Sequence, residues 1–142
     1  MRRAIESLRG RFGATPIVLR ADSGFGQDAT LRFCDKMNID FVLGLPGNRR
    51  LQTLSTPTQM DACLKYTFHK DEWGEERLCR EWGELQYKAG SWEKKRRVIV
   101  KAEITQGQLN PRFVVTSFTD TLPEAVYAFY CERGDQENRI KN

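Results

Sequence analysis

Two short apolar runs joined by an amphipathic stretch set the tightest limit on what this chain folds into. Pro16-Ile17-Val18-Leu19 and Asp40-Phe41-Val42-Leu43-Gly44-Leu45 read as buried strands. Ser23-Gly24 and Gly26 stop the first, and Pro46-Gly47 stops the second. Between them, Asp28 to Met37 carries helical spacing. Two strands joined by a helix run parallel through a right-handed crossover. Asp22 then stands at the carboxyl end of the first strand, where open α/β sheets hold their active groups. Aspartate is also common in turns. Asp28, next to the helix start, is the better cap, which leaves Asp22 with less structural reason to be there.

The last stretch of the chain reads as a helix with charges on its apolar line. At 100° per residue, Val126, Phe129, Tyr130, Arg133, Glu137 and Ile140 share one side, while Glu132, Asp135 and Arg139 lie opposite. An ordinary amphipathic helix has leucine or valine where Arg133 and Glu137 stand. Charges on a buried line are costly unless a partner ion or a metal compensates them. The plainer account is an exposed Arg133–Glu137 pair at i,i+4, worth a few tenths of a kcal/mol.

Between these segments the pattern changes. Residues 48 to 82 are polar and mixed and carry no clear assignment. Glu84 to Tyr87, Arg97 to Ile104 and Arg112 to Thr119 read as strands. Val98, Val100, Ala102 and Ile104 alternate with Ile99, Lys101 and Glu103, and Gly107 and Pro111 mark a turn, so these strands form an antiparallel meander. The expected division is 1–47, 48–121 and 122–142, with a first helix over Met1 to Phe12.

Several function classes find little to work with. A chain of 142 residues with 39% hydrophobic and 30% charged composition suits one globular unit. No run approaches a membrane span and no signal peptide is visible, so no membrane partner is expected. Cys34, Cys63, Cys79 and Cys131 show no metal-ligand spacing and point to a reducing cytoplasm. His69, the single histidine, sits in a polar stretch that suits a surface residue.

Net charge is +4 and unevenly spread. Arg2, Arg3, Arg9, Arg11 and Arg20 crowd the start, and Lys94, Lys95, Arg96, Arg97 and Lys101 form a second cluster. Such clusters attract nucleic acid, though a charge run is more often a solvated face. Trp92 occupies an expected turn beside the second cluster. An exposed aromatic there stacks on an unpaired base, and the competing account is packing under the meander.

Taken together, Arg20-Ala21-Asp22-Ser23-Gly24-Phe25 after an apolar strand and Tyr130-x2-Arg133-x3-Glu137 far downstream resemble the catalytic domain of DDE-type insertion-sequence transposases. The resemblance implies an α/β, RNase H-like core with the β-meander as an insertion before the last helix. It implies that Asp22 and Glu137 match two catalytic carboxylates, which hold two Mg²⁺ or Mn²⁺ ions. Tyr130 and Arg133 match the first two members of a Tyr-Arg-Glu-Lys signature that meets DNA. Trp92, Lys94, Lys95, Arg96 and Arg97 are the expected DNA contacts of the insertion, Trp92 holding a flipped base. Partners implied are double-stranded DNA and a second copy of the full-length protein, in the nucleoid of the cytoplasm.

The family's first catalytic aspartate lies on a strand upstream of the segment matching Asp22, and Asp22 is the first aspartate here. The signature lysine falls seven residues after Glu137, and Lys141 is not that lysine. A partial core, with its first strands missing, is therefore expected. Alone it is expected to self-associate through the open edge of Ile17 to Leu19 and to show no metal-dependent cleavage. The alternatives are a non-catalytic DNA-binding remnant and an RNase H-like nuclease. An upstream in-frame strand ending in aspartate favours the enzyme, and a stop codon favours the remnant.

Overall fold

The computed structural model describes residues 17–25, 27–69 and 78–141, with Phe25, His69 and residues 133–141 described by backbone alone. The helix expected over 1–12, Gly26 and Trp73 lie outside the described residues. In chain order the elements are β1 (Val18–Ala21), α1 (Asp28–Met37), β2 (Asp40–Leu45), α2 (Arg49–Leu54) and α3 (Thr56–His69). They are followed by β3 (Leu78–Tyr87), β4 (Arg96–Thr105), β5 (Gln108–Thr116) and α4 (Pro123–Lys141). All five strands lie in one sheet, in the order β1-β2-β5-β4-β3.

The expected βαβ unit is present: β1 and β2 are parallel, with Ala21 opposite Leu43. Helix α1 packs on one face of the sheet through Leu31 and Cys34, against Ala21, Phe41, Leu43, Val98, Val100 and Phe113. Helix α4 covers part of the other face, where Val126 and Tyr127 meet Val42, Ile99 and Val114. The alternation anticipated in β4 therefore separates two cores. The meander joins the parallel pair edge to edge, because β5 is antiparallel to β2 from Val42↔Thr116 to Leu45↔Phe113.

Several boundaries move, each for a physical reason. Pro111 does not mark the turn but lies within β5, opposite Ala102. It sits beyond the last β2 pair, so the donor it lacks faces no strand. The turn itself is Gln106-Gly107, both at positive φ (51° and 82°), the two-residue geometry that suits a twisted hairpin. Asp28 is not the cap of α1. Gln27 holds that position without a side-chain bond, and Asp28 is the first helical residue. Its Oδ1 accepts from the Glu93 N–H at 2.7 Å and its Oδ2 pairs with Arg32 at 2.8 Å, tying the β3–β4 loop to α1.

The segment without an assignment contains α2, α3 and the start of β3. Asn48 caps α2 by accepting from the Leu51 N–H at 2.8 Å, and its Nδ2 donates to the Tyr87 hydroxyl at 3.1 Å. Helix α3 packs on β3 and β4 through Ala62, Cys63 and Tyr66, against Cys79, Ala102 and Ile104. Thr58 comes so close to Gly83 that a side chain there would collide with it, so glycine sets how near α3 lies to the sheet.

Candidate catalytic and nucleic-acid site

Asp22 directly follows β1 and is exposed. Two residues earlier, Arg20 reaches α4. Its Nη1 donates to the Phe129 carbonyl at 3.1 Å and lies 3.5 Å from the Glu132 carboxylate, and the guanidinium sits 4.5 Å from the Phe129 ring centroid. Sequence reasoning counted Arg20 in a basic stretch and in the motif around Asp22, and gave it no contact with the last helix. Its side chain ties the strand bearing Asp22 to the helix bearing Glu137.

Helix α4 runs along the sheet toward the carboxyl ends of β1 and β2. Val126 packs with Val42, and Tyr130, one turn later, reaches the end of β2 at Gly44. Arg133 and Glu137 continue this helix, Glu137 two turns and about 10 Å beyond Tyr130 along the axis. Side chains from 133 onward, including Arg133, Glu137 and Ile140, lie outside those described. Among the described residues no group of three or more His, Cys, Asp or Glu gathers to hold an ion.

Tyr130 is half-buried and its ring tilts against Tyr127 at 5.6 Å. Burial raises the pKa of the Tyr130 hydroxyl, as does nearby Cys131, while Arg112 lowers it. Tyr127 is pushed up to about 12, again chiefly by burial. Both hydroxyls therefore stay protonated at neutral pH and remain donors. Gly44 makes this arrangement possible: a Cβ there would lie 2.5 Å from the Tyr130 hydroxyl and 3.2 Å from the Ser23 amide. Gly44→Ala is expected to cost about 1–3 kcal/mol in denaturant unfolding. Adding Tyr130→Phe, which removes the colliding oxygen, is expected to recover part of that loss. No recovery would mean that Ser23, not Tyr130, sets the limit.

The second basic cluster splits in two. Lys94 and Lys95 are exposed, Lys94 lying 3.4 Å from Asp35. Arg96 turns inward: its side chain is 5% exposed and holds Asp35 in a fork, Nη1–Oδ1 at 3.2 Å and Nη2–Oδ2 at 2.7 Å. It also lies 5.7 Å from the Phe41 ring centroid. Arg97 pairs with Glu84 and donates to the carbonyls of Phe118 and Thr121, each at 2.8 Å. Arg97 is opposite Thr116, Thr116 opposite Val42 and Val42 opposite Arg20, so these arginines are nearly level with the end of β1 but stand three strands away from it across the sheet. Their bonds are made within the fold.

Burial alone would raise the Asp35 pKa, but the hydrogen bonds and charge of Arg96, with Lys94, hold it below the usual carboxylate range. A folded value below the unfolded one gives stability that is present above the unfolded pKa and lost as pH falls through the folded one. Asp35→Asn is expected to cost about 1–3 kcal/mol at pH 7, less than a fully buried pair because Asp35 is partly exposed. It is also expected to flatten the acid side of the stability profile. Unfolding curves at pH 7 and pH 3 check both, and an unchanged acid slope would contradict the assignment.

Trp92 corrects the expectation of an exposed turn aromatic. It is 4% exposed, belongs to the core over α1 and meets Tyr87 edge-on at 5.3 Å. Its amide donates to the Ala89 carbonyl at 3.0 Å, which folds the loop back under the sheet. One side of the indole still borders a cavity of about 300 Å³, shared with Ser23, Gln27, Asn48 and Tyr87. Among the described residues, no helix is long and apolar enough to cross a membrane.

No curated protein and no solved structure matches the chain. A family profile described as "Transposase DDE domain group 1" matches residues 1–142, its whole length. With a strand that ends just before Asp22, beside the helix that carries Glu137, the chain belongs to the transposase DDE domain group 1 family.

Proposed function

We propose that this chain supplies catalytic parts of a transposase that cleaves DNA strands and joins their ends. The observation that carries this reading is the Arg20 tie, which fastens the strand before Asp22 to the helix that runs on to Glu137. Asp22 and Glu137 are hard oxygen donors of the kind that hold Mg²⁺ or Mn²⁺. Two such ions, when bound, stabilise charge on the attacking and leaving oxygens of a phosphodiester. Asp22 is exposed just past β1, and the direction of α4 carries Glu137 toward the same end of the sheet.

The remaining residues position DNA. Tyr130, a donor at neutral pH, is set to hold a backbone phosphate, and Arg133 follows it one turn later on the same helix. Lys94 and Lys95 are the members of the basic cluster that reach solvent, so they offer phosphates the more open charge. The test is strand cleavage in Mg²⁺ or Mn²⁺ with a chelator control, using wild-type, Asp22→Ala and Glu137→Ala proteins. Cleavage retained in Glu137→Ala would rule out its assignment. Duplex binding without any metal-dependent cleavage, even with an upstream aspartate supplied, would favour a DNA-binding remnant.

A further inference from the structure

Arg112 was read from the sequence only as the start of a strand. In β5 it stands two residues before Val114, which places both on the face covered by α4. It lines a cavity of about 170 Å³ at the end of β2, together with Ser23, Gly44, Gly47, Tyr127 and Tyr130. Arg112 is exposed, and it stands at the same end of the sheet as Asp22, since the adjacent Phe113 is opposite Leu45.

Its neighbour across the ladder is also a cation. Arg112 is directly opposite Lys101. Like charges facing each other across an antiparallel pair destabilise the sheet. Glu103 answers only one side of this pairing: it lies 3.4 Å from the Lys101 ammonium and 2.6 Å from Arg80. Lys101 also rests on the Tyr127 ring, 4.8 Å from its centroid. Arg112 forms no salt bridge with a described carboxylate, whereas most basic side chains around it do. A cation with no salt bridge to a described carboxylate, in a small concave site beside a protonated tyrosine hydroxyl, is the chemistry that takes an anion.

We propose that Arg112, with Tyr130 and the short turn Ser23–Phe25, forms a subsite for one backbone phosphate of double-stranded DNA, beside Asp22, which precedes that turn. The proposal rests on the transposase reading and adds to it a contact from β5 that the sequence motifs do not include. The subsite holds the strand next to the cleft, so Arg112 is a positioning residue.

The test measures duplex affinity of the chain across a salt series by fluorescence anisotropy, for wild type, Arg112→Gln and Arg112→Lys. Losing one phosphate contact is expected to make the log–log salt slope shallower by about 0.9 and to weaken binding about tenfold at low salt. Arg112→Lys is expected to keep the wild-type slope. Without DNA, Arg112→Gln is expected to melt at or above the wild-type temperature, because the repulsion from Lys101 is relieved. An unchanged slope in Arg112→Gln, with wild-type binding intact, overturns the subsite alone. A lowered melting temperature with an unchanged slope assigns Arg112 to the fold and also overturns it. A wild-type chain that does not bind duplex DNA overturns the transposase reading beneath.

Discussion

In a transposase polypeptide that supplies the first aspartate, Asp22→Ala is expected to lower metal-dependent strand cleavage about a thousandfold. Removing a carboxylate that holds a reactive ion forfeits about 4 kcal/mol of transition-state stabilisation, and each 1.36 kcal/mol is a factor of ten. Duplex affinity should change little, because DNA affinity rests mainly on cations and Asp22 carries the opposite charge. Stability should also hold: Asp22 is exposed and follows the last residue of β1. Glu137→Ala is expected to match it in cleavage. The two together should cost scarcely more than either alone, since residues that hold one site act as a unit. Independent, multiplying losses would mean that they serve different steps.

Elements with uniform environments were the legible ones. β2 is Asp40–Leu45 as expected, because its interior residues are buried and the sequence is correspondingly a continuous apolar run. The early part of α4 was legible for the same reason, Val126 being buried where the periodicity placed it and Glu132 exposed opposite. Helix α3 was hidden because its pattern is inverted. Its packed face uses Ala62, Cys63 and Tyr66, while Met60, Leu64 and Phe68 are exposed, Phe68 at 76%. A hydrophobic period read from such a segment points the wrong way.

The site was legible only in part, and for a related reason. Asp22 and Glu137 each have an ordinary account, as a turn aspartate and as a member of a surface pair, and they stand out only when their two motifs are read together. Arg96 and Lys95 look alike in the sequence, yet one lies in a buried fork with Asp35 and the other is exposed. That difference depends on Asp35, sixty-one residues away. Arg20, Gly44 and Arg112 gain their meaning from α4 lying across the sheet, a contact between segments more than a hundred residues apart for Arg20. Strand alternation puts Arg112 on the face of Val114, but only the fold shows that Tyr130 is there too.

Trp92→Ala is expected to destabilise the protein by about 3–5 kcal/mol, the usual cost of truncating a buried tryptophan. Trp92 closes the core under β3 and β4: it packs against Tyr87 and shares a cluster with Leu51 and Phe113. The Asn48 side chain that caps α2 also bonds the Tyr87 hydroxyl, and Arg50 lies 5.7 Å from that ring. Loss of the indole therefore loosens Tyr87 and, through it, the start of α2. Denaturant unfolding reads this directly, and Trp92→Phe should recover about half by refilling part of the space. DNA binding separates packing from base stacking. A packing residue weakens binding to uninterrupted duplex and to DNA with unpaired bases by the same factor. A stacking residue costs about 1–3 kcal/mol on the unpaired substrate alone. A selective loss of that kind, with unfolding unchanged, would mean that the loop opens to present Trp92 to DNA, against the buried position that its contact with Tyr87 defines.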